Sequence, residues 1–141
     1  MDYLLDTCVL SECARRNPDR RLKAWLANAS GTGDFYVSAV TIGELAEGIQ
    51  SLPETDPRKR RLAEWFEDEI LATYRDRILD FDHDAALAWG RIKGETNKIG
   101  LVRPDLDAQI AATALVHGLT VATRNVEDMD HTGVRVVNPF S

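Results

Sequence analysis

The sequence predicts an α/β fold: a three-layer α/β/α sandwich whose sheet is mainly parallel and has about five strands. Two observations carry this. Short apolar strands alternate with amphipathic helices along the whole chain. The strands, moreover, are near-continuous apolar runs rather than apolar/polar alternations, the pattern of strands covered by helices on both faces. A chain of 141 residues fits one domain, spanning residues 1–141, with a core that needs no covalent staples.

The elements follow in order. Asp2–Leu5 reads as a first strand, and Asp6 stands just beyond its carboxyl end, where open α/β sheets bind ligands. Asp6 is equally suited to cap the next helix, Thr7–Arg15. Leu22, Trp25, Leu26 and Ala29 form the apolar stripe of a second helix, which Ser30–Gly33 breaks. Phe35–Ser38 is a second strand, followed by a helix from Val40 to about Leu52. That helix carries Glu44, with Glu47 one turn on as a rival. Thr41-Ile42-Gly43-Glu44 also has the form of a capping box, in which Glu44 would bond back to the backbone.

Ser51–Pro57 is a loop, and Arg58–Tyr74 reads as one long helix with Leu62, Trp65, Phe66, Ile70, Thr73 and Tyr74 along one side. Ile78–Phe81 is a brief strand, and Asp82 caps a helix running to Asn97. Asp80, Asp82 and Asp84 open like a calcium loop, but the glycine and glutamate that such a loop requires are missing. Asp105 and Asp107 then stand at a helix start, either of them able to cap it. That helix ends at His117-Gly118, a cation followed by the usual terminating residue. Leu119–Thr123 is a strand with Arg124, Asn125 and Asp128 just past its end, and Val134–Val137 is the last strand.

Composition narrows the chemistry. Cys8 and Cys13 are the only cysteines, and their spacing favours two free thiols and a reduced, cytoplasmic setting. His83, His117 and His131 show no zinc spacing, so any metal would be held by oxygen. Neither a membrane span nor a leader peptide is legible. The net charge of −6 argues against a nucleic-acid binder at face value. Set against that, 13 of the 17 basic residues are arginines, the better phosphate ligand. Several cluster as Arg15-Arg16 and as Arg58, Arg60 and Arg61, places where a solvated helix end is the plainer reading.

Three local patterns, in order, resemble those of the PIN-domain nucleases, and in particular the VapC-type toxins of toxin–antitoxin pairs. MDYLLDTCVLSE resembles the first-acid motif, with Cys8 where Asn is usual. Ser38, Thr41, Glu44, Leu45 and Gly48 match the second, and DAQIAATALVHGLTVATRN the third and its following strand. The resemblance spans essentially the whole chain. It implies a Mg²⁺- or Mn²⁺-dependent endoribonuclease acting on structured RNA of the tRNA or rRNA class. It also implies a homodimer silenced by a VapB-type antitoxin that lies in a helical groove and reaches toward the acidic pocket.

On this reading Asp6, Glu44 and Asp107 hold the metal, because the family acid stands three residues before the Ile of Ile-Ala-Ala. Asp105 then serves the helix start. Asp128, or Asn125 through its amide oxygen, completes a second position. Thr7 and Thr123 hold the carboxylates in orientation. Apart from the resemblance, the arginine clusters and the acidic balance point to RNA contacts at Arg15, Arg16, Arg58, Arg60 and Arg61, and Arg124 could contact phosphate. Two alternatives are a PIN fold that binds without cleaving and a receiver-type signalling domain. The second lacks its paired acids after the first strand and its late lysine.

Overall fold

Five strands and six α-helices alternate along residues 1–141, all of which the computed structural model describes. The strands are β1 (Tyr3–Leu5), β2 (Phe35–Ser38), β3 (Ile78–Leu79), β4 (Thr120–Ala122) and β5 (Val136–Val137). The helices are α1 (Thr7–Cys13), α2 (Arg20–Ala29), α3 (Ala39–Gln50), α4 (Arg58–Trp65), α5 (His83–Lys98) and α6 (Asp105–His117).

The strands form one sheet in the order β3-β2-β1-β4-β5, and every neighbouring pair is parallel. In register, Tyr3 lies between Phe35 and Thr120, and Leu5 faces Ala122. From β1 the chain builds outward through β2 and β3, then crosses back to add β4 and β5 on the other side. The β1/β4 boundary is therefore the point where strand order reverses, and the carboxyl ends there open a crevice.

Successive residues of a strand point to opposite faces, and this divides the core in two. Leu4 and Val121 join Ile92 of α5 and Ile110 of α6 in one layer. Their neighbours Leu5 and Ala122 join Val9, Leu10, Leu22, Val37 and Leu45 in the other. Strands two to four residues long must thus be apolar throughout, which is why no alternation is legible in them.

The long helix expected over Arg58–Tyr74 is interrupted. It is α-helical only to Trp65, and Phe66–Leu71 is a wider π turn in which the Ala72 amide bonds to the Glu67 carbonyl at 3.2 Å. The extra residue in that turn keeps Trp65, Phe66, Ile70 and Tyr74 together on one core, while Thr73 is exposed. The strand expected over Ile78–Phe81 stops at Leu79, where its only partner β2 ends. Gly118 takes the left-handed conformation (φ 67°) that ends α6. No helix is long and apolar enough to cross a membrane.

Candidate active site

Asp6 leaves β1 in extended conformation, and its amide bonds to the Ala122 carbonyl of β4 at 3.0 Å, which pins it to the crevice. Its carboxylate does two jobs. One oxygen accepts the Thr7 amide at 2.8 Å and caps α1, while the other accepts the Thr123 hydroxyl at 2.7 Å from the end of β4. Asp6 is only 4% exposed, so both bonds act in a poorly solvated place. The cap and the site acid are the same group.

Glu44 enters from α3. The capping box suggested by Thr41 and Glu44 does not form: Ser38 caps the helix by accepting the Val40 amide at 3.1 Å, and α3 begins at Ala39. Thr41 is thereby buried one turn in, and Glu44 is free to accept the Thr7 hydroxyl at 2.7 Å. The Thr7 hydroxyl also lies 3.1 Å from that of Thr41. Glu47 is exposed. Helical periodicity separates the two acids, since only Glu44 shares a face with buried Thr41 and Leu45.

At α6 the expected cap by Asp105 is absent. No side chain caps this helix; Asp105 is 68% exposed and reaches back to Lys93 at 3.0 Å. Lys93 is itself held by the Arg103 carbonyl at 2.8 Å, and this draws the carboxylate away from the helix amides. Asp107, two residues on, is half-buried. Asp128 lies in the short 3-10 turn Val126–Met129 beyond β4, and its amide bonds to the Asn125 carbonyl at 3.1 Å. The Asn125 amide in turn donates to the Thr123 hydroxyl at 3.0 Å, with the residue itself exposed.

Electrostatics ties these acids together. Burial, and then the carboxylates of Asp6, Asp128 and Glu44, push the Asp107 carboxyl up to about 6, with Arg103 pulling the other way. Four acids from four different parts of the chain thus act on one space. No three of them close tightly enough on one point to cage an ion. An ion there would be bound by one or two carboxylates and would keep its own waters, which is how Mg²⁺ is usually held. The donor set fits such an ion: carboxylates, two of them braced by threonine hydroxyls, and no histidine. Cys8 lies 3.6 Å from Asp6 and from the Thr123 hydroxyl and accepts the Arg124 amide at 3.5 Å. Burial and the Asp6 carboxylate raise its thiol above the ordinary range. Cys8 is therefore a neutral thiol here.

The burial of Asp107 beside three other carboxylates has a measurable consequence for metal-free protein. A carboxyl whose pKa is higher folded than unfolded binds its proton more tightly in the folded state. Folding stability is then gained as pH falls through about 6 and lost again as pH rises. In chelator, melting temperature should rise between pH 7 and pH 5, by the equivalent of about 1 kcal/mol once solvent screening of this half-exposed group is counted. Asp107→Asn should flatten that rise. An equal rise in the variant would place its origin elsewhere.

The arginines divide into separate groups. Arg15, Arg16, Arg58 and Arg61 line one cavity with Pro57, whereas Arg60 is paired with Glu64 at 3.2 Å on the exposed face of α4. Arg124 lies 3.9 Å over the Phe140 ring and 3.5 Å from Glu12. Two relevant residues had no signal in the sequence. Glu12 is 6% exposed and binds Arg15, Arg124 and the Asp19 amide, and no local pattern marks it. Arg103, the cation that acts on Asp107, stands alone in a loop.

A family model described as the PIN domain matches residues 3–134. Toxin FitB of Neisseria gonorrhoeae is 39% identical over 137 residues, covering 97% of each chain. The VapC ribonuclease Y4jK of Sinorhizobium fredii is 34% identical over 137 residues, covering 97% of this chain and 96% of its own. The crystal structure of FitAcB from Neisseria gonorrhoeae contains a chain that superposes with a TM-score of 0.87 at 38% identity, covering 98% of each.

Proposed function

The chain belongs to the PIN-domain family, and from that premise we propose that it is the ribonuclease toxin of a toxin–antitoxin pair, hydrolysing phosphodiester bonds in structured RNA. One observation carries the reading: Asp6, Glu44 and Asp128, from separate elements, all act on the half-buried Asp107 at the sheet's switch point, where burial first and then their charges push its carboxyl up to about 6. Acids held against their own repulsion suit a divalent-cation site.

Asp6, Glu44 and Asp107 would hold Mg²⁺ or Mn²⁺, in part through waters that the ion keeps, with Asp128 or Asn125 at a further position. When bound, such an ion supplies an activated water and offsets charge on the phosphoryl oxygens. The chain's own residues fix the geometry. Thr123 orients the Asp6 carboxylate and Thr7 that of Glu44. Arg124, stacked on Phe140 and anchored by Glu12, presents a guanidinium beside the pocket for the RNA backbone.

An antitoxin of the VapB kind supplies the off state. A groove of about 300 Å³ starts at Thr7 and Glu44 and runs over Leu45, Ile49, Leu62 and Trp65, an apolar bed for a partner helix that ends at the acids. FitB and Y4jK carry toxin and ribonuclease in their names, and the FitAcB structure and this chain share one fold. The free toxin is a homodimer in the cytoplasm. Exposed Leu87, Leu115 and Val116 around the α5–α6 cleft offer apolar surface for the second copy.

The deciding experiment uses chain purified free of its partner. RNA cleavage should appear with Mg²⁺ or Mn²⁺, disappear in excess EDTA and return when the ion is restored. Full cleavage persisting in EDTA would rule out the metal mechanism. No cleavage with either ion would favour a PIN fold that binds without cutting.

A further inference from the structure

Two arginine pairs far apart in sequence become one site. Arg15 and Arg16 follow the C-terminal end of α1, and Arg58 and Arg61 lie on the first turn of α4. The Arg61 guanidinium joins them by donating to the Ala14 carbonyl at 2.9 Å. Together with Pro57 these four guanidinium groups line a cavity of about 470 Å³. Internal bonds use few of their donors: Arg15 reaches Glu12 at 3.4 Å and Arg58 holds Asp56 at 2.8 Å. Each guanidinium has five N–H donors. Four cations against two carboxylates leave the cavity positive in a chain of net charge −6.

The geometry points to this cavity as a phosphate subsite for the RNA strand, a few nucleotides from the bond that is cut. The inference rests on the nuclease reading above. Helix α1 sets the distance, because Asp6 caps one end and the arginines follow the other. Seven helical residues span about 10 Å. A stacked strand advances about 3.4 Å per nucleotide, so about three nucleotides bridge acids and arginines. The chemistry selects a polyanion over a protein helix, since no apolar side chain other than Pro57 lines the cavity. The neighbouring groove, by contrast, is apolar. Arg58 borders both, so an occupant of the groove and a strand in the cavity would meet there.

The test measures binding of a labelled single-stranded RNA in EDTA, which separates binding from cleavage. The proteins are wild type, Arg16→Gln, the double variant Arg16→Gln/Arg61→Gln, and Arg91→Gln on the far layer as control. The single variant guards against lost packing at Ala14. The double variant should bind about tenfold more weakly, and its salt dependence should flatten by about 0.7 per lost contact. With the ion restored, KM should rise while kcat at saturating RNA is kept. An RNA too short to reach the cavity should bind wild type and double variant alike. Unchanged RNA affinity in the arginine variants, with cleavage intact, overturns the subsite and leaves the nuclease reading standing. So does a loss confined to binding of the antitoxin. RNA binding that depends on these arginines, in a wild type that never cleaves, keeps the cavity as a phosphate site but sinks the nuclease reading and, with it, the spacing to a cut bond.

Discussion

Asp107→Asn should abolish RNA cleavage in a protein that still folds, whereas Asp105→Asn should leave cleavage largely intact. The two acids are two residues apart on the same helical turn, yet their surroundings differ in kind. Asp105 is 68% exposed and its partner is Lys93. Losing such a surface pair costs about 0–1 kcal/mol, and no helix amide depends on it. Asp107 faces Asp6, Glu44 and Asp128. Its amide substitute is nearly the same shape but carries no charge to bind a cation. The loss should therefore exceed the roughly 10–100-fold that removing an outer partner of a metal ligand costs. Cleavage rates of both variants, read beside their melting temperatures, decide the matter. An inactive Asp105→Asn beside an active Asp107→Asn would reverse the assignment.

Thr123→Val should weaken both stability and activity, through a group that never touches RNA. Its hydroxyl is fully buried, donates to Asp6 at 2.7 Å and accepts the Asn125 amide at 3.0 Å. Valine keeps the shape, so no cavity opens. What remains is a buried carboxylate short of a donor and a loop amide short of an acceptor, worth about 1–3 kcal/mol. The Asp6 carboxylate is then free to turn, and cleavage should fall about 10–100-fold. Thr123→Ser retains the hydroxyl and should recover most of the rate. A valine variant as active as wild type would show that Asp6 is held by its helix cap alone.

What the sequence shows and what it hides divide along the range of the interactions. The alternation of elements, the αL glycine after His117 and the position of Asp6 and Thr123 at strand ends are local, and all are legible. Which residue caps α3 is not. Ser38 and Thr41 are both good caps, and the choice falls to Ser38 because β2 must extend that far to pair with Leu79 of β3. The π turn after Trp65 is hidden for a related reason: one extra residue leaves the apolar stripe readable as an ordinary helix. The burial of Glu12 is hidden because its partner Arg124 is more than a hundred residues away. The arginine cavity needs α1 and α4 to meet, which neither helix's own pattern foretells.

The bond between Thr123 and Asp6 spans 117 residues, and this sets when in the chain's life the site comes into being. Synthesis runs from the N-terminus at about 5–20 residues per second. For several seconds a ribosome-bound chain thus carries Asp6 and Glu44 while the residues that complete the pocket do not yet exist. Parallel pairing of β1 with β4 closes a loop of over a hundred residues, a slow step for a small domain. On the nuclease reading, nascent and half-folded chains lack a complete site, and activity comes only with the finished molecule. A partner that recognises the assembled groove has the whole of that delay in which to be made.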